Sequence, residues 1–329
     1  MNPEITLSPS AIDVQSGRPA TRVSLSRVGV TGVEKVLSIG SGHYHAEIEC
    51  FVDLAPDQAG VHMSRFEENV SEAIEKVAQT GAMRTEILAA RTAELVREKQ
   101  QGVRAEVSIQ ARFAENRPAP ASGIENQEIY VLLGTAVSSV TGVRTVTGVQ
   151  AQGMTACPCA QEMVSDVARE RLKARGYSPE QVAEIIDVVP IATHNQRGIG
   201  TLWIGGVEGM DPEIDARELL RLVESSMSSE IYELMKRPDE LAVVVAAHDN
   251  PRFVEDCVRE MIRQVATGYD TLPDDAFVMA RQENLETIHR HNVVAERYGL
   301  IGNLRKEIEG GDRTPHHVTM REWLDRPSA

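Results

Sequence analysis

A chain of 329 residues exceeds what one hydrophobic core serves efficiently, so its length predicts two domains, and an apolar fraction of 42% is enough to fill both. With 49 acidic against 34 basic residues the formal charge is −15, a field that repels nucleic acid and anionic membrane surfaces, and aromatics at 4% leave little material for stacking single-stranded bases. No apolar run approaches the roughly 18 residues needed to cross a bilayer, and "MNPEITLSPS" has neither the basic nor the apolar region of a secretory signal, so the sequence predicts a cytoplasmic protein with no membrane or nucleic-acid partner.

Residues 1–20, polar with three prolines, read as a mobile arm. "TRVSLSRVGVTG" and "HAEIECFVDL" alternate apolar with polar residues, as half-buried antiparallel strands do. "SRFEENVSEAIEKVAQ" sets Phe66, Val70, Ile74 and Val77 at helical spacing behind Ser64, and a second helix runs over about 82–100. Strands return at "RAEVSIQARF", "EIYVLLGTAV" and "RTVTGVQAQGM". A polar helical stretch over about 160–187 follows, its second piece starting at Ser178-Pro179-Glu180. The remaining predicted elements are a strand at "IGTLWIGG", a helix over 213–236, a strand at "ELAVVVAAH", a helix over 251–267 and a strand at "DAFVMARQEN".

Each half thus reads as antiparallel sheet with helices on one face, an α+β arrangement, and no glycine-rich phosphate loop follows any strand. The predicted domains are 21–140 and 141–310, the second with a helical insert at 160–190, followed by a tail at 311–329.

Four cysteines are too sparse for a disulfide framework, and Cys50 and Cys257 sit in apolar periodic segments as small buried hydrophobes. The other two stand in Cys157-Pro158-Cys159 at a predicted strand end. Three further clusters carry polar groups beyond what solubility requires. "IATHNQRG" holds His194 and Arg197; "KRPDE" puts Glu240 at a predicted strand entrance, with Glu255 of "NPRFVED" in the first turn of a helix; "ENLETIHRH" holds Glu286, His289 and His291.

A thiolate, an imidazole and a carboxylate suit a zinc or ferrous ion and leave a coordination position open for water, whereas a closed structural zinc would show two C-x-x-C knuckles. Thiols one residue apart on extended backbone point opposite ways, so one is expected on the metal and the other in a substrate cavity. Taken singly, each group also has a plainer reading: a buried pair of small residues, a hydrogen-bonded structural histidine, helix-start carboxylates favoured by the dipole. His43, His45, His316 and His317 read as solvated, with no role.

"DVQ" (13–15), "GVTGVEK" (29–35), "HMSRF" (62–66), "GMTACPCAQE", "PIATHNQRG", "KRPDE", "NPRFVEDCVRE" and "ETIHRH" occur in that order. Together, from about residue 12 to 308, they resemble the type IB GTP cyclohydrolases. The 34 residues between Cys159 and His194 are similar to the archaeal iron-dependent branch of methanopterin biosynthesis.

The resemblance implies tandem tunnelling-fold modules in a homotetramer, with interfacial active sites that each hold one divalent metal, Fe(II), Zn(II) or Mn(II). It implies Cys157, His194 and Glu240 as metal ligands, Cys159 against substrate, Glu255 anchoring guanine, and Glu286, His289 and His291 near the reacting ring. Arg65, Arg197, Lys236 and Arg290 lie in or beside the motifs and are the expected triphosphate contacts. The implied reaction opens the guanine imidazole ring of GTP at C8 and releases formate. Its product is a 7,8-dihydroneopterin phosphate, as a linear triphosphate or a 2',3'-cyclic phosphate, for pterin or folate synthesis. A fixed carboxylate accepts both N1–H and the 2-amino group of guanine, a pair of donors adenine lacks. The alternative from another class is a non-catalytic tunnelling-fold purine or pterin binder with a redox or structural CPC site.

Overall fold

The computed structural model describes residues 15, 17–39, 42–78, 84–206, 214–311 and 313–326. In chain order its elements are β1 (Leu25–Ile39), β2 (Gly42–Leu54), α1 (Met63–Ala78), α2 (Thr85–Lys99), β3 (Arg104–Pro118), β4 (Glu125–Ser139) and β5 (Gly142–Ala156). There follow α3 (Pro158–Ala174), α4 (Pro179–Val188), β6 (Asn195–Gly206), α5 (Ala216–Ser225), α6 (Arg237–Asp249), α7 (Val254–Gly268), β7 (Phe277–Leu285), β8 (Val293–Leu300), α8 (Ile301–Ile308) and α9 (Met320–Leu324).

The strands form one eight-stranded antiparallel sheet in sequence order. Where the sequence predicts two sheets, β4 and β5 pair from Val131↔Gln150 to Ser139↔Gly142, so the expected boundary at 140/141 is a tight turn inside an unbroken sheet. Alternation sets the buried face: on β3, Ala105, Val107, Ile109 and Ala111 are buried and their neighbours are not. Against that face α2 lies on β3 and β4, α5 on β5 and β6, and α7 on β7 and β8, sharing one apolar core. The approach of α2 is close enough to require glycine at 134, where a Cβ would meet the Thr85 carbonyl carbon at 2.4 Å and the Glu86 nitrogen at 2.6 Å. Cys50 and Cys257 are fully buried in this core, and burial pushes both thiols up to about 12.

The structure corrects two of the expected elements. "ELAVVVAAH" is helix α6 rather than a strand: Asp239, Val243 and Ala247 are buried at four-residue intervals while Leu241, Val244 and Val245 face outward. Pro238 in the first turn and the Asp239 carboxylate, which accepts Lys236 N–H at 2.8 Å, start that helix. The helix expected over 213–236 ends at Ser225, because serine hydroxyls take over the backbone: Ser226 Oγ donates to Leu222 O at 2.6 Å and Ser228 Oγ accepts Ala156 N–H at 3.1 Å. Residue 213 lies outside the described residues.

β8, α8 and α9 have no counterpart among the predicted elements. The expected tail instead docks, with Trp323 fully buried against Phe277 and its Nε1–H donating to Asp275 O at 2.8 Å. Most of the expected arm lies outside the described residues, but Gln15 O accepts Gly60 N–H at 3.1 Å and Gly17 O accepts Ala59 N–H at 2.8 Å. Among the described residues no helix is long and apolar enough to cross a membrane.

Candidate active site

The end of β5 and the start of β6 are ladder neighbours, Ala156 opposite Asn195, so the residues just beyond them meet. Cys157 N–H donates to His194 O at 3.1 Å and Thr193 Oγ donates to Cys157 O at 2.7 Å. The chain then turns into α3 with Pro158 in its first turn, and Cys157 is the N-cap, its Sγ accepting Ala160 N–H at 3.5 Å. A helix N-terminus favours negative charge, the polarity that a metal-binding thiolate needs. Cys157 is half-buried and Cys159, inside the first turn of α3, is exposed, so the two sulfurs face different surroundings.

His194 is half-buried, with Nδ1 at 3.0 Å from Oε1 of the buried Gln196. With Nδ1–H donating to that oxygen, the lone pair is on Nε2 and the ring is oriented for ligation. Gln196 escapes sequence reasoning, although its place two residues beyond His194, where β6 begins, was a usable signal.

Two backbone links gather further groups at these strand ends. Arg252 N–H donates to Ala156 O at 3.0 Å, which seats the start of α7, and with it exposed Glu255, next to the CPC segment. Thr287 Oγ donates to Asn195 O at 3.1 Å and pins the 286–292 loop between β7 and β8 beside His194. In that loop the Glu286 Oε2 is buried with no hydrogen-bond partner among the described residues. The exposed rings of His289 and His291 stack at 5.2 Å and 15°. Arg290 in the same loop and Arg197 on β6 are exposed.

Glu240 stands exposed in the first turn of α6, not at a strand entrance, and Lys236 is that helix's exposed N-cap. The buried residue beside Glu240 fixes the helix: Asp239 accepts Ala121 N–H at 2.9 Å, Ser122 N–H at 2.7 Å and Ser122 Oγ–H at 2.7 Å from the β3–β4 turn. Burial pushes the Asp239 carboxyl up, but these donors and Lys236 N–H outweigh it and hold the group well below the usual carboxylate range. At the far end of α6, Gln161 of α3 donates to His248 O at 2.8 Å.

A second buried polar group supports the segment before α6. Arg117 meets Glu224 and Glu230 while the Tyr130 hydroxyl donates to Glu224 at 2.8 Å. Neither Asp239 nor this group is recognisable from spacing, since their partners are distant in sequence.

Arg65 is placed elsewhere. Its Nη1 donates to Lys99 O at 3.3 Å, beside the start of β3 and so at the opposite end of the strands from Cys157. That separation is about 50 Å along a strand the length of β5. Among the described residues no three His, Cys, Asp or Glu side chains stand close enough to hold a metal ion. Cys157 and His194 adjoin, and Glu240 lies outside that pair. The donor chemistry of the adjoining pair nonetheless fits a divalent metal, through a sulfur at a helix N-terminus and an imidazole whose tautomer is fixed by Gln196.

Similarity to known proteins runs along this whole frame. The sequence profile described as Type I GTP cyclohydrolase folE2 matches residues 12–295. GTP cyclohydrolase MptA of Methanothermobacter thermautotrophicus is 42% identical over 307 residues, covering 90% of this chain and 96% of that protein. The protein of the same name from Methanococcus aeolicus is 40% identical over 308 residues, covering 90% and 99%. Among solved structures, uricase from Arthrobacter globiformis aligns over 88% of this chain and 96% of its own at 11% identity and a TM-score of 0.47, a likeness from which nothing about the site follows.

Proposed function

Since the chain belongs to the type I GTP cyclohydrolase family described as folE2, we propose that it is a metal-dependent enzyme that opens the imidazole ring of GTP at the junction of β5 and β6. That it is a GTP cyclohydrolase follows from the family; the metal, the residue roles and the product are the finer reading. The observation that carries the finer reading is the Cys157–His194 backbone hydrogen bond, which sets a thiol and an imidazole side by side where the starts of α3 and α7 and the 286–292 loop converge.

In this reading Cys157 and His194 hold Fe(II), Zn(II) or Mn(II), and Glu240, which stands outside that pair here, closes onto the site when the metal is bound. Bound there, the metal supplies the Lewis acidity that activates water for attack at C8. Glu255 accepts N1–H and the 2-amino group and so fixes the guanine edge. Cys159, two residues from Cys157 and exposed, meets the substrate. Glu286 and the stacked His289 and His291 move protons to the ring nitrogens as their bonds to C8 break and that carbon leaves as formate. Arg197, Lys236 and Arg290 take the triphosphate.

Arg65, at the other end of the strands, joins them only from a second copy. β1 and β8 are the sheet's edges, where further strands can pair, and this supports a homo-oligomer, a tetramer by resemblance, with sites between subunits. The product is a 7,8-dihydroneopterin phosphate formed in the cytoplasm.

The test is anaerobic incubation of metal-loaded protein with GTP, reading formate, pterin fluorescence and product mass, which separates a linear triphosphate from a cyclic phosphate. Cys157→Ala and His194→Ala are expected to lose bound metal and to lower turnover at least a thousandfold, while Glu255→Gln keeps metal and loses guanine turnover. A fully active Cys157→Ala protein overturns the site, and absence of formate with metal bound favours a non-catalytic binder.

A further inference from the structure

Away from the β5–β6 junction, β2 and β3 part before their hairpins end. Their pairing stops at His45↔Arg112, whereas β1 and β2 stay paired to Ile39↔Gly42 and β3 and β4 to Pro118↔Glu125. The two hairpins therefore diverge, and the fork between them holds a cavity of about 310 Å³. Arg112, His45 and His43 line it together with Val36, Ala114 and Ile129, and no carboxylate is among its lining residues.

The charge pattern sets this fork apart. In a chain with 49 acidic against 34 basic residues, the strand arginines Arg27, Arg104, Arg117, Arg281 and Arg297 each meet a carboxylate. Among the described residues the Arg112 guanidinium has no ion pair or hydrogen bond, an exception it shares on the strands with that of Arg197 of the candidate active site. His45 stands directly across the ladder from Arg112, and such partners project from the same face about 5 Å apart. His43, two residues along, shares that face, and its Nδ1 is 3.1 Å from Ser38 Oγ. On that same face Val36, paired with His45, and Ala114 and Ile129, paired with each other beside Arg112, supply an apolar wall, whereas Tyr44 and Phe113 alternate to the core side.

We infer that the fork binds a phosphorylated ring compound, its phosphoryl group on Arg112, His45 and His43 and its flat body against Val36, Ala114 and Ile129. A guanidinium offers two parallel N–H donors to phosphate oxygens, and imidazole N–H groups complete the set. The long-range field of a chain at −15 disfavours anions, so one is held only where donors converge locally. The volume is at the lower end of small-ligand pockets, roughly 300–1,000 Å³, and suits a mononucleotide or a pterin phosphate rather than a dinucleotide. The fork is separate from the candidate active site of the same chain. Arg112 is level with Val131 and so with Gln150 on β5, which is seven residues short of Cys157, roughly 23 Å along the strand.

Calorimetric titration of the full-length protein with GMP and with neopterin monophosphate tests this without reference to GTP turnover. At least one probe is expected to bind the native protein, and the tighter one tells whether a nucleotide or a pterin is the source. Measured in a Glu255→Gln background, which silences the guanine pocket, affinity should fall at least tenfold in Arg112→Ala, in Arg112→Gln, which keeps a long polar side chain, and in His43→Ala/His45→Ala. The inference is overturned if neither probe binds the Glu255→Gln protein, which would put native binding in the guanine pocket instead, or if binding to it survives both Arg112 variants.

Discussion

At the end of the sheet where β4 turns into β5, Val137, Val146, Phe277 and Trp323 close an apolar cluster, and Arg104 is paired with both Glu106 and Asp325. At the end where β5 runs into α3, Cys157, His194, Arg197 and Glu255 are half-buried or exposed, and no salt bridge joins any of them among the described residues. The same strands supply both ends. The difference shows a division of labour along them: apolar burial and satisfied charges hold the frame at one end, so that thiol, imidazole and carboxylate groups can be left unneutralised at the other. Buried Asp239 and Gln196 and the Arg117–Glu224–Glu230 group are exceptions at this end, the first two holding the unneutralised Glu240 and His194 in place and the third supporting the segment before α6.

The sharpest way to break this contrast is at the closed end. Trp323→Ala should destabilise the fold by about 3–5 kcal/mol, read in denaturant melts, with metal content and turnover per folded molecule unchanged; a selective loss of turnover would mean the two ends are coupled. Gly134→Ala forces a Cβ onto the backbone of Thr85 and Glu86, and a cost of about 1–3 kcal/mol in the same melts is expected, again without a change in metal content.

Gln196→Leu acts at the open end. Metal affinity of the apo protein, measured by competition with a chromogenic chelator, should fall by about 10–100-fold. Gln196→Glu, which keeps an acceptor for His194 Nδ1–H, should retain most of it. Equal affinities in the two variants would assign Gln196 a purely structural role.

The smallest effect is one of reactivity. Brief iodoacetamide treatment should modify exposed Cys159, while Cys50 and Cys257, their thiols pushed up to about 12 by burial, stay unmodified until the protein unfolds. Peptide mass spectrometry reads each site.

What was legible in the sequence follows from where the determining contacts lie. β2 and β3 alternate strictly because one face is buried, and α4 announces itself through Ser178, Pro179 and Gln181, a capping box complete within four residues. The α6 segment is a continuous apolar run that suits either period, and only the packing of Val243 and Ala247 against the rest of the chain selects a helix. α9 has five residues and forms against Phe277 and Asp275, more than forty positions earlier, and its one local mark, the Thr319–Glu322 capping box, stands before too short an apolar stretch to show a period. At the site, motif order was readable, and so was the adjacency of Cys157 to the β5 end. The opposite placement of Arg65 was not, because it depends on strand direction across the sheet.

The tight turn at Val140 and Thr141 carries one more consequence. Cutting the backbone there would leave two fragments, each with a raw margin of fifteen residues, β4 on one and β5 on the other. Neither fragment can satisfy that margin alone, and the only native route back is to zip β4 onto β5 in its original register. The position is therefore suited to fragment complementation, in which mixing two silent pieces restores the whole catalyst.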